Sequence, residues 1–321
     1  FNIKQLTKGN NMNNLKKIGL TALGTALVTA GSAQAASVSV SAATSLFFGG
    51  EDNSDASNGW SMTDSLTFSA SGEMDNGFTI STSLEIDNAG AYDDRSITID
   101  TGDMGSLTFS GSGTSGPVGA WDDLTPTANE ESWSTAISGT VDGPTNAAVG
   151  TNGFIYDYTV SDAIAIKAAY EPSRGSTQVD SSTEIGVAYT GIEGLTIKAA
   201  MGENNNAGSI DNSVFSAVYA MGPISVGYQS NESDSGTAAA DEDFTAMGIS
   251  YAVSDDLSVS YGVSTLDYES ASKDDQDSSA VSVSFTAGGV AISASHQQTD
   301  NVAGTSTADN TSYEINFSFA F

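Results

Sequence analysis

The sequence predicts an all-β protein: a transmembrane antiparallel β-barrel of sixteen strands. Three observations predict it. Short runs alternate a large apolar residue with Ser, Thr, Gly or Ala; tight Gly/Asn/Asp turns alternate with longer polar loops; and tyrosines recur near segment ends on the apolar parity. A period of two places successive side chains on opposite faces of a strand. Closing such strands into a cylinder satisfies every backbone group inside a bilayer.

The N-terminus reads as an export signal. Met12-Asn13-Asn14-Leu15-Lys16-Lys17 is basic, Ile18 to Val28 is apolar, and Ala33-Gln34-Ala35 is a small-residue cleavage site. The apolar run is shorter than the roughly 20 residues a membrane helix needs. The expected division is 1–11 as an upstream over-extension, 12–35 as a cleaved signal peptide and 36–321 as the barrel domain.

The segments then follow in order, with their outward residues. Val38, Val40, Ala42 and Leu46 open the series, followed by Leu66, Phe68 and Ala70, then Phe78, Ile80, Leu84 and Ile86. Ile97/Ile99, Leu107/Phe109 and Tyr156/Tyr158/Val160 continue it. Next come Ile164/Ile166/Tyr170, Ile185/Val187/Tyr189 and Leu195/Ile197/Met201. Phe215/Ala217/Tyr219, Ile224/Val226/Tyr228, Met247/Ile249/Tyr251 and Leu257/Val259/Tyr261 follow. Val281/Val283/Phe285 and Val290/Ile292/Ala294 precede the last segment, Tyr313/Ile315/Phe317/Phe319/Phe321. Tight turns sit at 75–77, 101–105, 161–163, 191–194, 222–223, 254–256 and 287–289, where Gly, Asn and Asp supply positive φ and side-chain capping. Short turns on one side and longer loops on the other is the arrangement of outer-membrane barrels. Asp64 shares the outward parity of Leu66 and Phe68, so it is expected at the extracellular rim or beside a parity-changing bulge.

Charge narrows the partners. The formal net charge is −31. Export removes Lys4, Lys8, Lys16 and Lys17 and no acid, which leaves Arg95, Lys167, Arg174, Lys198 and Lys273 as the bases. That sign excludes nucleic-acid binding and favours cations. Cysteine is absent, so no disulfide or thiol chemistry is available. P-loop, G-x-S-x-G and paired-histidine motifs are also absent, and the chain is not expected to be an enzyme.

Three stretches carry a resemblance. They are Ser37-Val38-Ser39-Val40-Ser41, the run from Arg95-Ser96-Ile97-Thr98-Ile99 through Gly105-Ser106-Leu107-Thr108-Phe109, and the alternating C-terminus ending on Phe321. Together with the signal, strand count and loop asymmetry, they resemble the sixteen-stranded general porins of Gram-negative bacteria, particularly those of α-proteobacteria. The resemblance implies a trimeric outer-membrane channel for passive diffusion of small hydrophilic solutes. It implies contact with outer-membrane lipid and lipopolysaccharide. It also implies a terminal aromatic, here Phe321, read by the barrel-assembly machinery.

The longest non-alternating stretch, 111–152, carries Pro117, Pro126, Pro144, Trp121 and Trp133. A loop of that length is usually functional or disordered, and its tryptophans argue against disorder. The resemblance makes it the third extracellular loop, folded into the lumen, with Asp122, Asp123, Glu130 and Glu131 as the acidic lining of a constriction. The other reading of those four is solvated loop acids. Lys167 and Lys198 have lumen parity and Arg95 stands near a strand mouth, so these three are the candidate basic wall opposite. Simple partnership with nearby lumen carboxylates is the other reading. Acidic groups lining such a lumen favour cations over anions, so a cation-selective pore is expected.

No resident cofactor is expected. Hard cations favour carboxylates, so a loosely held Ca²⁺ is an open option without supporting spacing. Two alternatives to a channel stand beside it: an outer-membrane hydrolase using His296, and a non-conducting structural or adhesive barrel. A soluble exported all-β protein is a third.

Overall fold

The structure is a computed structural model that describes residues 34–52, 54–87, 91–133, 149–175, 180–205, 208–237 and 240–320. The expected signal (12–35, apart from its last two residues), the 1–11 segment and Phe321 lie outside them.

Sixteen antiparallel strands close into one barrel, each paired with its sequence neighbour, and β1 (Gln34–Glu51) sealed against β16 (Asn310–Ala320). The seam runs from Ala43 opposite Ala320 to Glu51 opposite Ser312. The first strands are β2 (Ser54–Glu73), β3 (Thr79–Asp87), β4 (Ala91–Asp100), β5 (Ser106–Ser112), β6 (Gly153–Ser161) and β7 (Ile164–Glu171). Then come β8 (Ser182–Ile192), β9 (Leu195–Asn204), β10 (Ile210–Met221), β11 (Ile224–Asp234) and β12 (Glu242–Ala252). β13 (Leu257–Tyr268), β14 (Gln276–Ala287) and β15 (Val290–Asp300) complete the series. One short helix, α1 (Pro117–Trp121), interrupts the β5–β6 connection.

Alternation decides which face is which. Ile185, Val187, Phe215, Val226, Met247, Ile249, Val281 and Val283 are exposed on the outer wall. On the opposite parity, Glu184, Ser216, Gln229, Ser282 and Ser295 are buried inside. A soluble barrel has the opposite arrangement, with its apolar side chains inside. Here the cylinder is apolar outside and polar within, as a membrane barrel requires.

β1 and β2 are longer than the alternation suggests. They span 18 and 20 residues and meet in a tight hairpin, whereas Gly49-Gly50-Glu51-Asp52-Asn53 reads as the start of a loop. The pairing Leu46–Met62 and Phe48–Trp60 continues the outward apolar row up this hairpin, with the Phe48 and Trp60 rings 4.8 Å apart.

Asp64 stands at the extracellular rim of the wall formed with β3. The β1–β2 register runs without a shift from Ser37–Ser71 to Gly49–Gly59, so no bulge changes its parity. It faces outward between Met62 and Leu66, one residue above Ser65, which pairs with Asp87 at the extracellular end of β3. The outward-facing acids Glu203, Asp211, Asp243 and Asp277 likewise stand at the extracellular strand ends.

Candidate functional site

The described parts of the β5–β6 connection, 113–133 and 149–152, leave the wall at Ser112 and dock on lumen-facing residues of successive strands. At its start, the Val118 amide donates to Oε2 of Glu184 (2.9 Å) and the Val149 amide donates to Oε1 (3.0 Å). One buried carboxylate on β8 thus binds both arms of the loop. Amide donors on a carboxylate are charge-assisted and strong. α1 then lays Val118 and Trp121 against Ala200 and Val214 of β9 and β10.

Further along, the Leu124 amide donates to Gln229 Oε1 (2.7 Å), and the Asp122 carbonyl accepts from the Gln229 and Asn231 side-chain amides. The Ala128 amide donates to Ser260 Oγ on β13 (2.8 Å). Asn129 donates from Nδ2 to Ser295 Oγ on β15 and to Glu314 Oε1 on β16, each at 2.8 Å. Trp133 packs edge-on to Phe244, ring centroids 4.9 Å apart, in a cluster with Ala246, Leu266 and Tyr268.

Glycines make room for this path. A Cβ at Gly186 would overlap the Trp121 ring, and one at Gly227 would overlap Pro126. At Gly248 it would lie 2.8 Å from the Pro126 carbonyl. Gly227, Gly248 and Gly262 stand in register on adjacent strands, so the cradle is a single groove across the wall.

The four candidate acids all lie on this docked segment. Glu131 and Asp123 share a side-chain hydrogen bond; burial and the Asp123 carboxylate push the Glu131 carboxyl up to about 8. Below about that pH Glu131 therefore holds its proton. Asp123 is exposed and Asp122 and Glu130 are half-buried. The Glu130 carbonyl accepts hydrogen bonds from Thr127 and Ser282.

The candidate bases do not face these acids from across the lumen. Lys167 pairs with Asp157 on the adjacent strand at 3.0 Å. Lys198 lies 5.5 Å from the Trp121 ring centre, on the wall that the loop itself covers. Arg95 is paired with Leu84 and stands with Ile97 on the outward parity, beside Gly111, whose missing side chain leaves space for the guanidinium. The expectation of Arg95 on the pore wall is therefore corrected: β4 bulges between Tyr92 and Arg95, and the residues below the bulge keep the outward phase of Ile97 and Ile99. A basic side chain at the midplane of a lipid-facing wall costs about 2–4 kcal/mol.

The surface opposite the loop is instead a field of small hydroxyls: Ser39, Ser69, Ser83, Ser96, Thr98 and Thr108. Thr98 and Thr108 bond to each other at 2.8 Å. His296 is outward and exposed on β15, opposite Val281 and Tyr313, with no ordered nucleophile paired to it among the described residues. Among the described residues no three His, Cys, Asp or Glu side chains gather as a metal site.

The sequence model of the Gram-negative porin family matches residues 19–286. The chain is a Gram-negative porin. No curated protein sequence matches it significantly. Among solved structures, the porin is similar to a loop-deletion mutant of OmpT, an outer-membrane protein of Vibrio cholerae. The TM-score is 0.67 at 16% identity, covering 90% of this chain and all of that one. In-vitro folded OmpT in its trimer form gives 0.65 at 15%, with 90% and 100% covered. A triple mutant of the Rhodopseudomonas blastica porin gives 0.65 at 14%, with 89% and 100% covered. At these identities the likeness speaks for the fold. Family and fold together place this porin in the outer membrane as a channel.

Glu184, Gln229, Asn129 and Glu314 were not singled out by sequence reasoning, although they hold the loop. A signal existed: Val214, Phe244 and Leu266 are bulky apolar residues at lumen parity, out of place unless something covers them.

Proposed function

We propose that this porin passes small hydrophilic solutes by passive diffusion with a preference for cations, and that it catalyses no reaction and takes no resident cofactor. One observation carries the selectivity: Asp122, Asp123, Glu130 and Glu131 sit on a segment docked against one lumen wall, while the wall opposite presents hydroxyls and no base. Carboxylates lining a water-filled passage lower the entry barrier for cations and raise it for anions. Lys167 is neutralised by Asp157, and Lys198 keeps its charge beside Trp121 on the wall beneath the loop, away from the hydroxyl wall. Screening by salt weakens the preference.

The reading extends to assembly. Residues 12–35 direct export and are removed, the mature 36–321 barrel forms a homotrimer, and Phe321 serves the barrel-assembly machinery. Lipid and lipopolysaccharide cover the outward wall where it is uniformly apolar. The test is single-channel conductance in a planar bilayer under a salt gradient. A cation-selective open step is expected; an anion-selective one overturns the charge argument, and absence of conductance favours the non-conducting barrel.

A further inference from the structure

One base stands at the extracellular mouth without a carboxylate partner. Lys273, on the β13–β14 connection, is exposed and makes no ion pair among the described residues. Arg174, the base on the β7–β8 connection, is paired with Glu171. The Lys273 ammonium lies 3.8 Å from the ring centre of Tyr268. A cation over an aromatic face is held by the ring's quadrupole. Tyr268 is 5% exposed and shares the lumen parity of Ser260, Ser264 and Leu266 on β13, so the charge is carried on the inner side of the mouth.

The surroundings fix that position. The β15–β16 connection closes over the lysine. The Asp274 amide donates to the Gly304 carbonyl (3.1 Å), Asn301 Nδ2 to the Asp275 carbonyl (3.0 Å) and the Ala303 amide to Gln276 Oε1 (3.0 Å). A Cβ at Gly304 would lie 2.8 Å from Lys273 Cβ and 2.9 Å from the Tyr268 ring. Asn301 and Ala303 adopt φ of 54° and 56°; such strain persists where the surroundings over-determine it, and it clusters at functional positions. Beneath the lysine, Tyr268 packs with Trp133 of the docked insert. The Tyr268 hydroxyl is buried without a partner, so what this residue supplies is the face of its ring.

We propose that Lys273 is a specificity-determining residue of this channel, seated by Tyr268 as its positioning residue, and that its fixed positive charge at an acidic entrance sorts cations by valence. Asp241, Glu242, Glu269, Asp274 and Asp275 surround the mouth and draw in cations of every charge. The energy of an ion beside a fixed charge scales with the charge of the ion, so the lysine holds calcium back more than potassium. A lysine on a free stem would turn toward a carboxylate and lose its field there. Glu242, opposite Tyr268 on β12, is close enough to interact with the ammonium electrostatically yet forms no ion pair with it. Seated on the ring, the charge stays at the entrance. The inference rests on the proposed cation preference and names what sets its dependence on valence.

The test is the calcium-to-potassium permeability ratio, read from reversal potentials across planar bilayers holding the full-length protein, with calcium chloride on one side and potassium chloride on the other. Lys273→Gln is expected to raise the ratio about twofold, the effect on one extra unit of ionic charge of a lysine about 10 Å away in water. Lys273→Arg keeps the cation and should restore the wild-type ratio. Tyr268→Phe keeps the ring and should also hold that ratio, whereas Tyr268→Leu should raise it as Lys273→Gln does. Combining Tyr268→Leu with Lys273→Gln should add nothing further, because both remove one interaction. Heat-modifiable gel mobility verifies that each variant is a folded barrel. A cation-selective channel whose ratio ignores Lys273→Gln overturns this inference and leaves the cation preference standing. Additive effects of the two substitutions, or a rise in Tyr268→Phe equal to that in Tyr268→Leu, overturn the seat on the ring. A wild type that is anion-selective in a potassium chloride gradient overturns the preference itself, and this inference with it.

Discussion

The lumen wall of this porin has two halves, and they are built from different residues for a physical reason. β1–β5 face open water with Ser39, Ser69, Ser83, Ser96 and Thr98, whose hydroxyls need only solvent or one another. β8–β16 face the docked loop and carry shape and specific acceptors: Gly186, Gly227 and Gly248 where the chain presses close, and Glu184, Gln229 and Glu314 where its polar groups must be met. A wall against water tolerates any small polar residue. A wall against protein must meet its buried donors, because each unmet one costs about 1–3 kcal/mol; among the described residues the Tyr268 hydroxyl is the donor left unmet.

The contrast can be broken most severely at Glu184. Glu184→Ala removes the acceptor for both the Val118 and Val149 amides, about 1–3 kcal/mol for each stranded donor. The expected result is a noisy channel of larger conductance in planar bilayers; unchanged steps would show that the carboxylate does not seat the loop. Trp133→Ala empties the pocket formed by Phe244, Leu266 and Tyr268. Truncating a buried Trp costs about 3–5 kcal/mol, here confined to one end of the docked segment, so limited proteolysis of the loop should accelerate while the barrel stays intact.

Selectivity gives smaller and sharper tests. Ser83→Arg sets a base on the hydroxyl wall facing the acids, and the reversal potential should move several-fold toward anions; a shift toward cations contradicts the assigned faces. The smallest effect concerns pH. Glu131 has its carboxyl raised to about 8, so it is neutral below that value and ionises as pH rises through it. Cation preference should therefore increase across pH 8. Because the docked state favours the protonated form, Glu131 supports loop seating at low pH, and that support is lost between the ordinary carboxylate range and about 8. Glu131→Gln should abolish the step in reversal potential.

Much of the barrel was legible because a period of two is a property of the chain alone. All sixteen segments, from the Val38 run to the Tyr313 run, became strands, and the short turns fell where Gly, Asn and Asp stand. The hairpin above Leu46 was not legible, since Gly49 and Gly50 look like a turn until Trp60 and Met62 are seen across from Phe48 and Leu46. Arg95 was misplaced because a bulge above it alters the count from the strand mouth. The loop's acids could be picked out by their position between β5 and β6. Their anchors could not: Glu184 lies 66 residues from Val118, and no local pattern reports a contact that only closure of the cylinder creates.

The Asn129–Glu314 bond has a consequence for how the molecule comes together. Glu314 belongs to the strand that meets β1 at the seam. The insert is thus clasped by β16, while its other attachments run to β8, β11 and β13. Completing the ring and seating the insert are then coupled events: a chain halted before β16 would leave the insert partly tethered, its tip still able to swing.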